Sequence, residues 1–113
     1  MGDPATPDGG LRIDVARGPE GPRLIFVGDL DLAGVGAADA AIRDAMAGPG
    51  DVTIDLSRLE FIGSEGIRVV LRARERADAG GRGLRVVAGD GPARRLIEIL
   101  GLADRLGADR DPG

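Results

Sequence analysis

Apolar and polar residues alternate from Leu11 to Arg17, with Leu11, Ile13 and Val15 on one side of the chain and Arg12, Asp14 and Arg17 among the rest. That period of two predicts a half-buried strand. RLIFVGDL (23–30) reads as a second strand, and the intervening GPEGP (18–22) is turn chemistry, so the two form a hairpin. From Ala33 to Ala47 the spacing changes: Val35, Ala38, Ile42, Ala45 and Met46 fall on one helical face before Gly48-Pro49-Gly50 ends the run. DVTIDLSRL (51–59), with its β-branched residues, is predicted as a strand through the centre of the sheet. A helix follows over 65–79, with Gly66, Ile67, Val69, Val70, Ala73 and Ala77 on one apolar arc and Gly80-Gly81 closing it. GLRVVAG (83–89) is a fourth strand. GPARRLIEILGL (91–102) is a helix opened by Pro92 and stopped near Gly101, and ADRLG (103–107) is expected to hold a short last strand.

The order β-β-α-β-α-β-α-(β) predicts a single α/β domain. Its sheet is mixed and has four to five strands, with an antiparallel hairpin first, the later strands parallel, and helices packed on it through right-handed crossovers. The domain is expected over 11–106. Residues 1–10 and 107–113 are rich in Gly, Pro and Asp and lack apolar periodicity, which reads as two mobile tails.

Composition narrows the chemistry. At 113 residues, 42% of them hydrophobic, the chain can bury one core without a metal or crosslink. The only aromatics are Phe26 and Phe61, so no platform exists for stacking bases, and a net charge of -4 lacks the basic footprint of nucleic-acid binding. Cys and His are absent and all 15 basic residues are Arg, leaving no disulfide and no soft-metal ligand. No stretch has the length and apolarity of a membrane span or a secretory leader, which predicts a cytoplasmic protein without membrane insertion.

One stretch invites a functional reading: FIGSEGI (61–67) places Ser64 between two glycines where a strand gives way to a helix. A nucleophile elbow needs glycine two residues before the serine, where Ile62 stands, and a general base that a chain without His or Lys does not supply. A phosphate-binding P-loop needs a lysine. Asp29, Asp31 and Asp55 offer an all-oxygen magnesium site by analogy with receiver domains, but without the lysine those domains use. The structural reading makes Ser64 the N-cap of the following helix, its hydroxyl accepting from the amide of Gly66 or Ile67, with Glu65 complementing the helix dipole.

Three local patterns, GDLD (28–31), VTIDLSRLEFIGSEGIRVVL (52–71) and RRLIEILGL (94–102), together with the element order, resemble the STAS family, specifically the bacterial anti-sigma-factor antagonists. That family's G-[DE]-L-D strand end is matched by Gly28, Asp29, Leu30 and Asp31. Its F-x-D-S-x-G-[LI] turn is matched by Phe61, Ser64, Gly66 and Ile67, and departed from at Gly63. The resemblance covers about residues 11–106 and implies a protein that is not an enzyme and needs no cofactor. It implies binding to an anti-sigma factor that is also a serine kinase, phosphorylation at Ser64, and resetting by a serine phosphatase. The docking surface it implies is Asp29, Asp31, Gly63, Ser64, Glu65, Gly66 and Ile67. Phosphate on Ser64 would add about -1.5 to -2 charges at a helix end that tolerates them, so its penalty would fall on the interface. Like charges near 4 Å at an effective dielectric of about 20 repel by roughly 4 kcal/mol, if the partner is acidic there. Two other readings stand beside this one: a STAS scaffold or transport-system accessory subunit that is never phosphorylated, and a magnesium enzyme.

Overall fold

The alternation at the start of the chain becomes β1 (Leu11–Gly18) and β2 (Gly21–Leu30), an antiparallel hairpin turning over Pro19 and Glu20, in a computed structural model that describes residues 10–109. A short 3-10 turn (Leu32–Gly34) leads into α1 (Val35–Ala47), β3 (Val52–Ile62), α2 (Ser64–Gly80), β4 (Leu84–Val87), α3 (Pro92–Ile99), α4 (Ala103–Leu106) and β5 (Ala108–Asp109). The five strands form one sheet in sequence order, antiparallel between β1 and β2 and parallel thereafter. β3 is its middle strand, as the β-branched run predicts. α1 lies against β2 and α2, and α2 lies against β3. The predicted apolar faces are the buried ones: Ala38, Ile42 and Ala45 on α1, and Gly66, Ile67, Val69, Val70, Ala73 and Ala77 on α2.

The last strand is a correction. ADRL within 103–107 is helical, and β5 starts just beyond it, pairing with β4 at Val86↔Ala108 and Val87↔Asp109. Ala-Asp-Arg-Leu has no β-branched residue, and Gly107, with φ of 62°, ends one helical turn by turning the chain back along β4. The paired strand therefore lies inside the span 107–113 that the composition assigns to a tail; residues 1–9 and 110–113 fall outside the described residues.

β3 is longer than the pattern predicts and irregular. It pairs with β4 only over Val52–Asp55, while its pairing with β2 continues to Ile62. Two register shifts interrupt that pairing, each inserting one extra residue into β3: Ile25↔Asp55 is followed by Val27↔Arg58, and Gly28↔Leu59 by Asp29↔Phe61. Each bulge switches which parity of residue faces the core. Leu56, Leu59 and Ile62 are consequently all buried at a spacing of three, whereas Arg58, Glu60 and Phe61 are exposed.

The first bulge has a visible cause. Asp55 Oδ1 accepts hydrogen bonds from the Ser57 amide at 2.9 Å and the Ser57 hydroxyl at 2.6 Å, a local turn that takes this amide out of the ladder. The other carboxylate oxygen, Oδ2, accepts from Arg23 at 2.6 Å. Asp55 is the one buried charged residue among those described. Burial would raise its pKa, but the Ser57 bonds and then the Arg23 guanidinium outweigh that and hold the carboxyl below its ordinary 3.8.

Candidate docking and phosphorylation site

The central strand delivers Ser64 to the carboxyl end of the sheet, where β2 and β3 finish together at the rung Leu30↔Ile62. The two exits are tied: the Gly63 amide donates to the Leu30 carbonyl at 3.0 Å. Gly63, extended at φ -97° and ψ 177°, is the N-cap of α2, and its carbonyl accepts from the amides of Gly66 at 3.0 Å and Ile67 at 3.2 Å.

Ser64 is therefore the first helical residue and not the N-cap. The expected bond from its hydroxyl to the Gly66 or Ile67 amide does not form, because β3 runs on through Ile62, leaves Gly63 as the single junction residue, and lets that residue's carbonyl take both donors. Ser64 is exposed, at the positive end of a 17-residue helix, with Glu65 in the same first turn. A hydroxyl so placed is open to another macromolecule and has no capping duty to give up.

The remaining residues expected to form a docking surface separate into two groups. Gly66 and Ile67 face inward. A Cβ at Gly66 would lie 2.7 Å from Leu30 Cγ, 2.9 Å from Leu30 O and 3.0 Å from Ile62 Cγ1, so the glycine is what lets α2 start this close to the end of β2. Gly63, Ser64, Glu65, Asp29 and Asp31 are wholly or partly exposed. Asp29 lies level with Phe61 across the ladder. Asp31 caps the 3-10 turn, accepting from the Ala33 amide at 3.1 Å. Gly28, at φ 100°, has a conformation other residues rarely adopt, and a Cβ there would fall onto the Gly10 carbonyl oxygen.

These positions separate the three aspartates proposed for magnesium. Asp55 is level with Ile25, four rungs from Asp29 and so about 13 Å away along the strand, and it is occupied by Arg23 and Ser57. Among the described residues no group of three or more His, Cys, Asp or Glu could hold a metal ion. No described helix is long and apolar enough to cross a membrane.

The STAS-domain family model described as "Mlab, STAS domain" matches residues 13–108. The chain belongs to the STAS family. Among curated relatives, the anti-sigma-F factor antagonist RsfB of Mycobacterium tuberculosis is 35% identical over 82 residues, covering 70% of this chain. That match spans 65% of the relative's own length. Among solved structures, an anti-sigma factor antagonist from Mycobacterium paratuberculosis superimposes with a TM-score of 0.82 at 24% identity, covering 99% of this chain and 92% of that one. The anti-sigma factor antagonist SpoIIAA in its unphosphorylated form gives 0.67 at 19% identity, covering 81% and 83%. At these identities the structural likeness speaks for the fold.

The sequence reading missed two side chains here. Phe61 is 51% exposed and Leu32 is 73% exposed, both large, apolar and at the Ser64 end of the sheet. Phe61 is placed outside by the second bulge. The signal for it is the spacing of Leu56, Leu59 and Ile62, which no regular strand can bury together.

Proposed function

We propose that this STAS domain is an anti-sigma-factor antagonist. It binds an anti-sigma factor that is also a serine kinase, in the cytoplasm, and is switched off when that kinase phosphorylates Ser64. The observation that carries this reading is the exposed Ser64 hydroxyl on the first residue of α2, in a chain whose family relatives include named anti-sigma factor antagonists. In the step itself, the Ser64 oxygen attacks the terminal phosphorus of ATP, the bond to the bridging oxygen breaks to release ADP, and the hydroxyl proton leaves to a base of the kinase. The new dianion sits where the helix dipole favours negative charge, so the domain's own fold survives. A serine phosphatase reverses the step by hydrolysis.

Glu65, adjacent to Ser64 in the first helical turn, favours a second reading. A fixed carboxylate beside the hydroxyl suits a surface that docks without phosphorylation, as in a signalling scaffold or an accessory subunit of a transport system. Incubation with anti-sigma kinases of the source organism and ATP decides between the two. The switch predicts a one-phosphate gain in intact mass that Ser64→Ala abolishes while binding is kept. No gain, with binding indifferent to Ser64→Glu, leaves the second reading.

A further inference from the structure

Phe61 and Leu32 lie on either side of the tied junction that carries Ser64. The Phe61 ring approaches within 3.6 Å of where a Gly63 side chain would begin, and Glu65 Oε1 within 3.4 Å of the same point. Across the junction, Leu32 and Ser64 each stand two residues beyond the shared rung Leu30↔Ile62. The turn that begins at Leu32 lies against α2. Two large exposed apolar side chains thus stand at the same end of the sheet as Ser64, and neither belongs to the buried core. Around them Asp29, Asp31 and Glu65 make no ion pair within the described residues, while the exposed cations nearby are Arg68, one turn along α2, and Arg58, turned outward on β3 with Phe61 and Glu60.

We infer that Phe61 and Leu32 are the apolar anchors of the docking surface, and that they fit a protein partner presenting apolar side chains ringed by Lys or Arg. The inference rests on the partner-switch reading and adds to it the residues that hold the partner and the means by which phosphate dislodges it. Aromatic side chains at the desolvated centre of an interface dominate its binding energy, with charged residues at the rim setting rate and salt dependence. This surface is itself acidic at the rim, so a complementary partner is basic, and phosphate on Ser64 cannot act by like-charge repulsion with an acidic partner. It acts by desolvation. When the partner seats on Phe61 and Leu32, water leaves the space between them; a serine hydroxyl tolerates this with one hydrogen bond, whereas a phosphate of nearly two charges must keep its hydration.

The test measures binding of the anti-sigma kinases of the source organism to four forms of the chain by calorimetry, at low and high salt. The forms are wild type, Phe61→Ser, Leu32→Ser and the Ser64-phosphorylated protein. Loss of either anchor should weaken binding roughly thirtyfold or more, with the chain still folding cooperatively and its thermal unfolding midpoint lowered by only a few degrees, since Leu32 is largely and Phe61 half exposed, and Phe61→Leu should recover most of the affinity. High salt should weaken the wild-type complex and leave the phosphorylated form unbound. Anchor variants that bind as tightly as wild type overturn the inference and leave the partner switch standing, as does high salt restoring binding to the phosphorylated form. A wild-type chain that binds no anti-sigma kinase removes the partner switch as well.

Discussion

The two halves of β3 obey different rules. From Val52 to Asp55 the strand is paired on both sides, its register is regular, and it serves the core. From Leu56 to Ile62 it is paired only with β2, is bulged twice, and turns Arg58, Glu60 and Phe61 outward. The regular half resists change through packing. The irregular half aims side chains at a surface, and it needs local hydrogen bonds and a close glycine contact to hold its shape. α3 packs against β3, whose residues beyond Asp55 lack a strand from β4.

Asp55 sits at the boundary between the halves, so its removal is the strongest way to break the distinction. Asp55→Ala leaves the Ser57 amide and hydroxyl and the Arg23 guanidinium without their shared partner, and should cost about 3 kcal/mol, read as a lower urea midpoint. The same group gives a pH signature. Because its folded carboxyl is held below 3.8, the stabilisation is complete above that value and is lost as pH falls through the lower folded pKa. Asp55→Asn should flatten this part of the acid unfolding curve.

Gly66→Val comes next and acts only on the irregular half. The added carbons meet Leu30 and Ile62 at the distances given above, and overpacking of this kind costs roughly 2 kcal/mol. Because the clash lies under the junction that positions Ser64, partner affinity should fall together with the urea midpoint, unlike in the Phe61 variants, where affinity falls far more than stability. The smallest effect sharpens the account of the cap. Gly63 has an extended conformation open to any residue, and a side chain there meets its neighbours at ordinary contact distance. Gly63→Ser should therefore add a few tenths of a kcal/mol as a side-chain cap, whereas Ser64→Ala should leave stability unchanged. A loss of about 1 kcal/mol in Ser64→Ala, the usual cost of removing an N-cap serine, would contradict the placement of Ser64 at the first helical position.

What could be read from the chain were the elements whose burial is periodic: the hairpin, the faces of α1 and α2, the central position of β3, and the start of α3 at Pro92. The GDLD and FIGSEGI patterns placed Ser64 at a strand-to-helix turn. The cap could not be read, because Gly63 and Ser64 both suit an N-cap and the choice depends on how far β3 runs before the helix begins. Nor could β5, since two residues carry too little pattern and their strand state exists only through pairing with β4.

The sequence by itself determined the fold class and the family, because hydrophobic period and turn residues act locally and are written in order along the chain. Only the tertiary structure decided that Asp55 is an internal anchor bonded to Arg23 and Ser57, that Gly66 is a point of contact with Leu30, and that Phe61 faces outward. Each of those depends on which residue of β2 stands opposite which residue of β3. That register is set by two bulges, and a bulge is a relation between strands that neither strand carries alone.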